Sequence, residues 1–250
     1  MLNKKLAAGE AIIGTWVSLA DPSVVEVLAQ TGFDFLLIDG EHSPIDDNVL
    51  KHLLIAAKGY ETAVIFRVRA NQEPLIKMAL DLGVDGVMVP MVCSAEEAKT
   101  AVNATRYPPF GKRGIGPWRA SNYYDQMQEY MASANDNISL WLQVEHVDAV
   151  ANLDEILAVD GFDVAFIGPA DLSASLGVYP DTTHPDALAT FAKVMSKCAA
   201  VGKPVGFDAS SPAHIAQLRK QGVQVFSIGG DVGYLQEGAR ALSAAARGVL

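Results

Sequence analysis

The chain has 250 residues, half of them apolar, which suits a sizeable core and argues against disorder. Its formal charge of −10 argues against a nucleic-acid or anionic-membrane surface, since such partners need a basic patch. Two cysteines without metal spacing, an interrupted apolar start and no uncharged apolar run long enough to span a bilayer point to a reduced, cytoplasmic protein.

Taken in chain order, residues 11–19 are apolar and β-rich, and a helical pattern follows over 22–30. The pairing recurs as strand 35–39 with helix 45–58, strand 63–68 with helix 73–82, and strand 86–92 with helix 94–105. It continues with strand 138–144 and helix 147–158, and strand 162–168 opens a sixth pair. Strand 204–207 with helix 212–221 and strand 225–228 with helix 232–246 complete eight. The strands are continuous apolar runs, as expected when helices cover both faces of a parallel sheet. Gly32, Gly59, Gly83, Gly202 and Gly222 stand at helix ends, where glycine takes the left-handed position cheaply.

Eight βα units in this length predict an α/β (β/α)8 TIM barrel, a single domain over 1–250. An open doubly wound sheet fits less well, because no GxGxxG follows the first strand. Two regions break the rhythm. Residues 106–136 form a long connection with a helix expected at 123–134, and residues 171–184 hold a short helix and a loop.

Polar residues at the C-terminal ends of barrel strands face the catalytic mouth. Here these are Trp16 and Ser18; Asp39, Glu41 and His42; Arg67, Arg69 and Asn71; Gln143 and Glu145; and Asp171, Asp208 and Asp231. Glu145 and Asp171 end two consecutive strands, so they project toward one point. Two carboxylates with waters or substrate oxygens suit a hard divalent ion, whereas the plain alternative is solvated loop acids or a helix cap. His42, three residues beyond Asp39, is a candidate general base oriented by that carboxylate, or a histidine making only a loop hydrogen bond. Arg67 emerges from a buried strand and needs an anion, either a substrate carboxylate or enolate, or an internal partner such as Glu41 or Asp81. Beyond Gly168, the N–H groups of Ala170 and Asp171 suit a small carboxylate, while Pro169 has none to give. No lysine ends a barrel strand, which disfavours Schiff-base chemistry.

Several stretches together carry a resemblance: GFDFLLIDGEH from Gly32, Arg67-Val with Asn71 and Pro74, LDLGVDGVMVPMV from Leu80, ATRYPPFGKRG from Ala104, Gln143-Val-Glu, and FIGPADLS from Phe166. In order over nearly the whole chain, they resemble the HpcH/HpaI aldolases, meaning 4-hydroxy-2-oxoheptanedioate and 2-dehydro-3-deoxyglucarate aldolases. The resemblance implies a phosphoenolpyruvate/pyruvate-type barrel and a class II aldolase releasing pyruvate and an aldehyde from a 4-hydroxy-2-keto acid. It implies Mg2+ or Mn2+, with Co2+ admissible, on Glu145 and Asp171, and pyruvate against Gln143, Gly168 and Ala170. Arg67 would hold the enolate, Asp39 and His42 would handle the hydroxyl proton, Trp16 would line the pocket, and Asp81 would complete the proton network near a subunit boundary. A homohexamer is implied as well. Asp208 departs from the pattern, standing where an aliphatic residue usually lines the aldehyde end, so a dicarboxylate substrate is disfavoured. Two competing readings are an acyl-CoA-type carbon–carbon lyase of the same superfamily, which would want a basic groove, and a non-catalytic keto-acid binding protein.

Overall fold

Five consecutive strands, the second to the sixth, are buried along their whole length, so their backbones pair on both sides and both side-chain faces are covered. The computed structural model describes residues 2–249. Helix α1 (Leu2–Ala7) precedes β1 (Ile12–Val17), followed by α2 (Pro22–Ala29), β2 (Phe35–Asp39), α3 (Asp47–Ala56), β3 (Ala63–Arg67) and α4 (Glu73–Leu82). Next come β4 (Gly86–Val89), α5 (Ala95–Thr105), α6 (Met127–Asn137), β5 (Ser139–Val144), α7 (Val147–Ala151) and α8 (Leu153–Leu157). The chain continues through β6 (Val164–Ile167), α9 (Pro169–Ser175), α10 (Pro185–Ala200), β7 (Val205–Ala209), α11 (Pro212–Lys220), β8 (Val225–Gly230) and α12 (Asp231–Arg247). Each strand pairs in parallel with the next, and β8 returns to β1, closing an eight-stranded (β/α)8 barrel as expected.

Alternation along the strands separates two cores. Leu36, Ile38, Val64, Val87, Leu140 and Ile167 face outward onto the helices. Phe35, Leu37, Ile65, Met88, Trp141 and Phe166 fill the interior, and Leu2 and Leu6 of α1 join them. Trp141 meets Phe35 edge-on at 5.0 Å and stacks on Phe166 at 6.0 Å. Gly14 and Gly206 occupy positions where a Cβ would strike the Phe35 and Phe166 rings, so these glycines make room for the aromatic layer.

Two local expectations shift, and one helix was not expected. The helix expected from residue 123 begins at Met127, because Asn122, Tyr123 and Tyr124 hold left-handed φ of 53°, 58° and 70°. The single helix expected over 147–158 is two, broken at Asn152, whose side-chain amide donates to the Cys93 carbonyl. Helix α1 lies in a stretch that gave no clear pattern. Among the described residues no helix is long and apolar enough to cross a membrane.

Candidate active site

The inward alternation changes character at the strand ends. Phe35 and Leu37 are followed by Asp39, Ala63 and Ile65 by Arg67, and Ser139 and Trp141 by Gln143. The register places Asp39 opposite Arg67 on β2 and β3, and Asp208 opposite Ser227 on β7 and β8. A polar layer therefore closes the C-terminal end of a greasy barrel.

Arg67 is held from several sides. Its Nε and Nη2 donate to the two oxygens of Asp39, both at 2.9 Å, and Nη1 lies 3.1 Å from Glu41 Oε2. The face of Trp16 covers it, with the guanidinium carbon 4.6 Å from the ring centroid. Asp39 also accepts the backbone N–H groups of Glu41 and His42. Burial pushes the Asp39 carboxyl up, but the Arg67 bond and charge, with these N–H groups, outweigh it and hold it below the usual range. Glu41 goes the other way: burial raises it against the pull of Arg67. Gly40 makes this turn possible, since a Cβ there would collide with the Phe66 ring and the Arg67 carbonyl.

Glu145, just past β5, is buried, and one oxygen accepts the Met91 N–H while the other accepts the Gln143 amide, both at 2.8 Å. Burial pushes its carboxyl up to about 7, with the Asp171 and Glu41 charges adding to the rise and the Met91 bond and Arg67 opposing it. Asp171, exposed in the first turn of α9, is close enough to act on both Glu145 and Glu41. Glu41, Glu145 and Asp171 thus share a neighbourhood with one guanidinium that Asp39 already engages, which leaves an excess of negative charge. The Gln143 carbonyl oxygen is buried without a partner, so a donor or cation has somewhere to bond. Oxygen donors with surplus negative charge fit a hard divalent ion. No three His, Cys, Asp or Glu side chains among the described residues form a ready-made metal cage, so Glu145 and Asp171 would need oxygens from outside the protein. Gly168 belongs to this site: a Cβ there would stand 2.5 Å from Glu145 Oε2. It precedes α9 as its N-cap residue, placing the Ala170 and Asp171 N–H groups in the helix's first turn.

On the other arc of the mouth, Asp208 Oδ1 accepts Ser227 Oγ at 2.6 Å and Trp16 Nε1 at 3.1 Å. Burial raises the Asp208 carboxyl against these two bonds.

One expected partnership differs from the geometry. Asp39 meets His42 only through the backbone N–H at 3.2 Å, because its oxygens are committed to Arg67. The His42 ring is 66% exposed, with Nε2 3.7 Å from Glu41 Oε2, so Glu41 is the carboxylate beside it. Asp81 lies in the last turn of α4, at the barrel end opposite the mouth, paired with buried Arg113 at 2.6 Å. It can serve His42 only across a subunit boundary. Asp231 is structural, accepting the Ser18, Leu19 and Val232 N–H groups. Glu41 was expected only as a candidate partner of Arg67, which it is, and its place beside His42 was not read; Ser227 was not singled out. Alternation from Val225 would have found Ser227, and the step of two from Asp39 would have pointed to Glu41.

A closed parallel barrel with carboxylates and one paired arginine at its C-terminal mouth defines an enzyme-type (β/α)8 architecture. The chain belongs to the HpcH/HpaI aldolase/citrate lyase family, which matches residues 12–237. It is 41% identical over 243 residues to a hydroxypyruvate/pyruvate aldolase of Roseobacter denitrificans, covering 96% of this chain and 94% of that one. It is 42% identical over 230 residues to a 2-keto-3-deoxy-L-rhamnonate aldolase of Escherichia coli, covering 91% and 86%. Among solved structures, a family protein from Burkholderia cenocepacia superposes with TM-score 0.93 at 34% identity over 98% of each chain. Membership carries lyase chemistry of the retro-aldol type on small keto acids.

Proposed function

We propose that the protein is a divalent-metal-dependent aldolase that reversibly cleaves a 4-hydroxy-2-keto acid into pyruvate and an aldehyde. The carrying observation is the buried Glu145 carboxylate near Asp171, with the unpartnered Gln143 carbonyl oxygen next to it at the barrel mouth. The relatives named as aldolases of pyruvate or of 2-keto-3-deoxy acids support the same substrate class. Glu145 and Asp171 would hold Mg2+, Mn2+ or Co2+, and such an ion supplies Lewis-acid polarisation of the keto carbonyl.

The chain's own residues account for the rest. Cleavage removes the C4 hydroxyl proton, breaks the C3–C4 bond and leaves the electron pair on the pyruvate enolate. His42 takes the proton, with Glu41 beside it stabilising the imidazolium. Arg67 uses three of its five N–H donors on Asp39 and Glu41, leaving two for the developing enolate oxygen. Gln143 and the first-turn N–H groups at Ala170 and Asp171, beyond Gly168, receive the pyruvate portion. Trp16 walls the pocket. The second Asp208 oxygen has no partner among the described residues and accepts aldehyde hydroxyls. Short hydroxyaldehydes are therefore preferred to a dicarboxylate-forming aldehyde such as succinic semialdehyde.

A panel of 4-hydroxy-2-keto acids assayed for pyruvate release, with and without EDTA, tests the reading. Release should vanish on chelation, return with Mg2+ or Mn2+, and fall by orders of magnitude in Glu145→Ala and Asp171→Ala proteins that remain folded. Undiminished release after thorough chelation would remove the metal from the mechanism. No release from any acid would remove the aldolase reading.

A further inference from the structure

The Ser227–Asp208–Trp16–Arg67 chain of contacts links the neighbouring strands β7, β8 and β1 to β3 and ends on the group that faces the developing charge. Resting on the aldolase reading, we propose that Asp208 is a positioning residue for Arg67, acting through the indole of Trp16.

The β7–β8 register sets Ser227 directly opposite Asp208, and the Ser227 hydroxyl donates to Oδ1 at 2.6 Å. That bond fixes the carboxylate, whose same oxygen accepts the Trp16 Nε1–H at 3.1 Å. An indole rotates about two side-chain torsions, and a hydrogen bond at its only donor fixes the ring plane. Held so, the ring presents its face to the guanidinium, 4.6 Å from centroid to carbon.

Asp39 and Glu41 grip Arg67 through its N–H groups. Such bonds lie near the guanidinium plane and set its rotation within that plane, but resist tilting out of it poorly. The indole face supplies the missing wall. Asp39, Glu41 and Trp16 together fix the direction of the two N–H donors left for substrate. An aliphatic residue at 208 would leave the indole N–H without its acceptor, and the ring would turn to find another.

This role is separable from accepting aldehyde hydroxyls, because the two use different oxygens. Asp208→Leu removes both; Asp208→Asn keeps a neutral acceptor for the indole and discards the charge. For D208L assayed on a keto acid whose aldehyde half carries no further hydroxyl, kcat should fall about tenfold, equivalent to about 1.4 kcal/mol, while KM moves less than about threefold. D208N should recover most of that loss. Trp16→Phe should lower kcat similarly, and adding D208L to it should cost little more, since both act through one contact. The crystal structure of the D208L protein should show the indole off the Arg67 face with the Asp39–Arg67 pair intact. If D208L does not fold, Asp208→Ala, which also removes the indole's acceptor, takes its place in the same cycle with Trp16→Phe. Multiplicative effects of the two positions, an unchanged kcat, or an indole still seated on Arg67 would overturn the proposal. If the wild-type protein cleaves no keto acid, the aldolase reading falls, and the crystallographic comparison still decides whether Asp208 holds the indole.

Discussion

Glu145 governs how the mouth responds to pH. In the metal-free protein its carboxyl is raised to about 7 against an ordinary value of 4.5, so the folded chain binds a proton there that the unfolded chain has already released. The sign follows: its contribution to stability is greatest below about pH 4.5, declines as pH rises through about 7, and amounts to roughly 3 kcal/mol in all. A divalent ion binds the ionised form, so its stabilising effect grows over the same window. Mg2+ or Mn2+ should therefore raise Tm more at pH 8 than at pH 5.5, and Glu145→Gln should abolish the difference. Equal Tm increments at both pH values in the wild-type protein would show that Glu145 is not the group exchanging proton for metal. The sequence made this residue legible because an acid at the end of an apolar strand has few innocent explanations. It did not make the Asp39–Arg67 grip legible, because that grip depends on which residues the β2–β3 register sets opposite each other. The same register question hid the Glu41–His42 neighbourhood, since an Asp-Gly-Glu-His turn can present either acid to the imidazole.

At the scale of elements, the junction between β6 and α9 has to pass the Glu145 side chain from β5. Gly168 allows this by having no side chain at the crossing, with its Cβ position 2.5 Å from Glu145 Oε2 and 2.9 Å from Glu145 Cβ. Its φ of −90° is open to any residue, so the demand is one of space rather than of backbone freedom. Gly168→Ala should push the carboxylate aside, lowering divalent-ion affinity at least tenfold and stability by about 1–3 kcal/mol, as overpacking does. Isothermal titration with Mn2+ and thermal melts read both; wild-type affinity would show that Glu145 moves freely. Strands were legible as unbroken apolar runs, and the five glycines expected at helix ends all adopt left-handed backbone. The start of α6 was not, because Asn122, Tyr123 and Tyr124 take a conformation that their residue types rarely announce. The break between α7 and α8 was hidden too, resting on one long-range bond from Asn152 to Cys93.

For the whole molecule, α12 raises a question that a single copy does not answer. Of its 17 residues only Asp231 is buried, and Leu235 and Leu242 are 66% and 74% exposed. Tyr234 ties its first turn to the barrel, bonding the Thr15 hydroxyl at 2.7 Å and the Ile228 carbonyl at 2.8 Å, but nothing comparable holds the rest. An unpacked helix of this length is marginal in water, because most helix stability in proteins comes from a buried face. Asp81, far from the mouth of its own barrel, independently needs a neighbouring copy if it is to reach His42. We therefore expect a homo-oligomer, a hexamer by family resemblance, in which the apolar residues of α12 pack against another copy. Light scattering on the purified protein should give a multiple of the 26.6 kDa chain. Leu235→Glu with Leu242→Glu, placed on that exposed surface, should dissociate the assembly and lower its melting temperature, with at most the helical signal of α12 lost from the far-UV spectrum. Catalysis separates packing from site completion: Asp81→Asn should leave the oligomer whole yet depress kcat. A wild-type monomer with full activity would reject both halves of the expectation. An intact oligomer carrying both glutamates would place the contact on some other face.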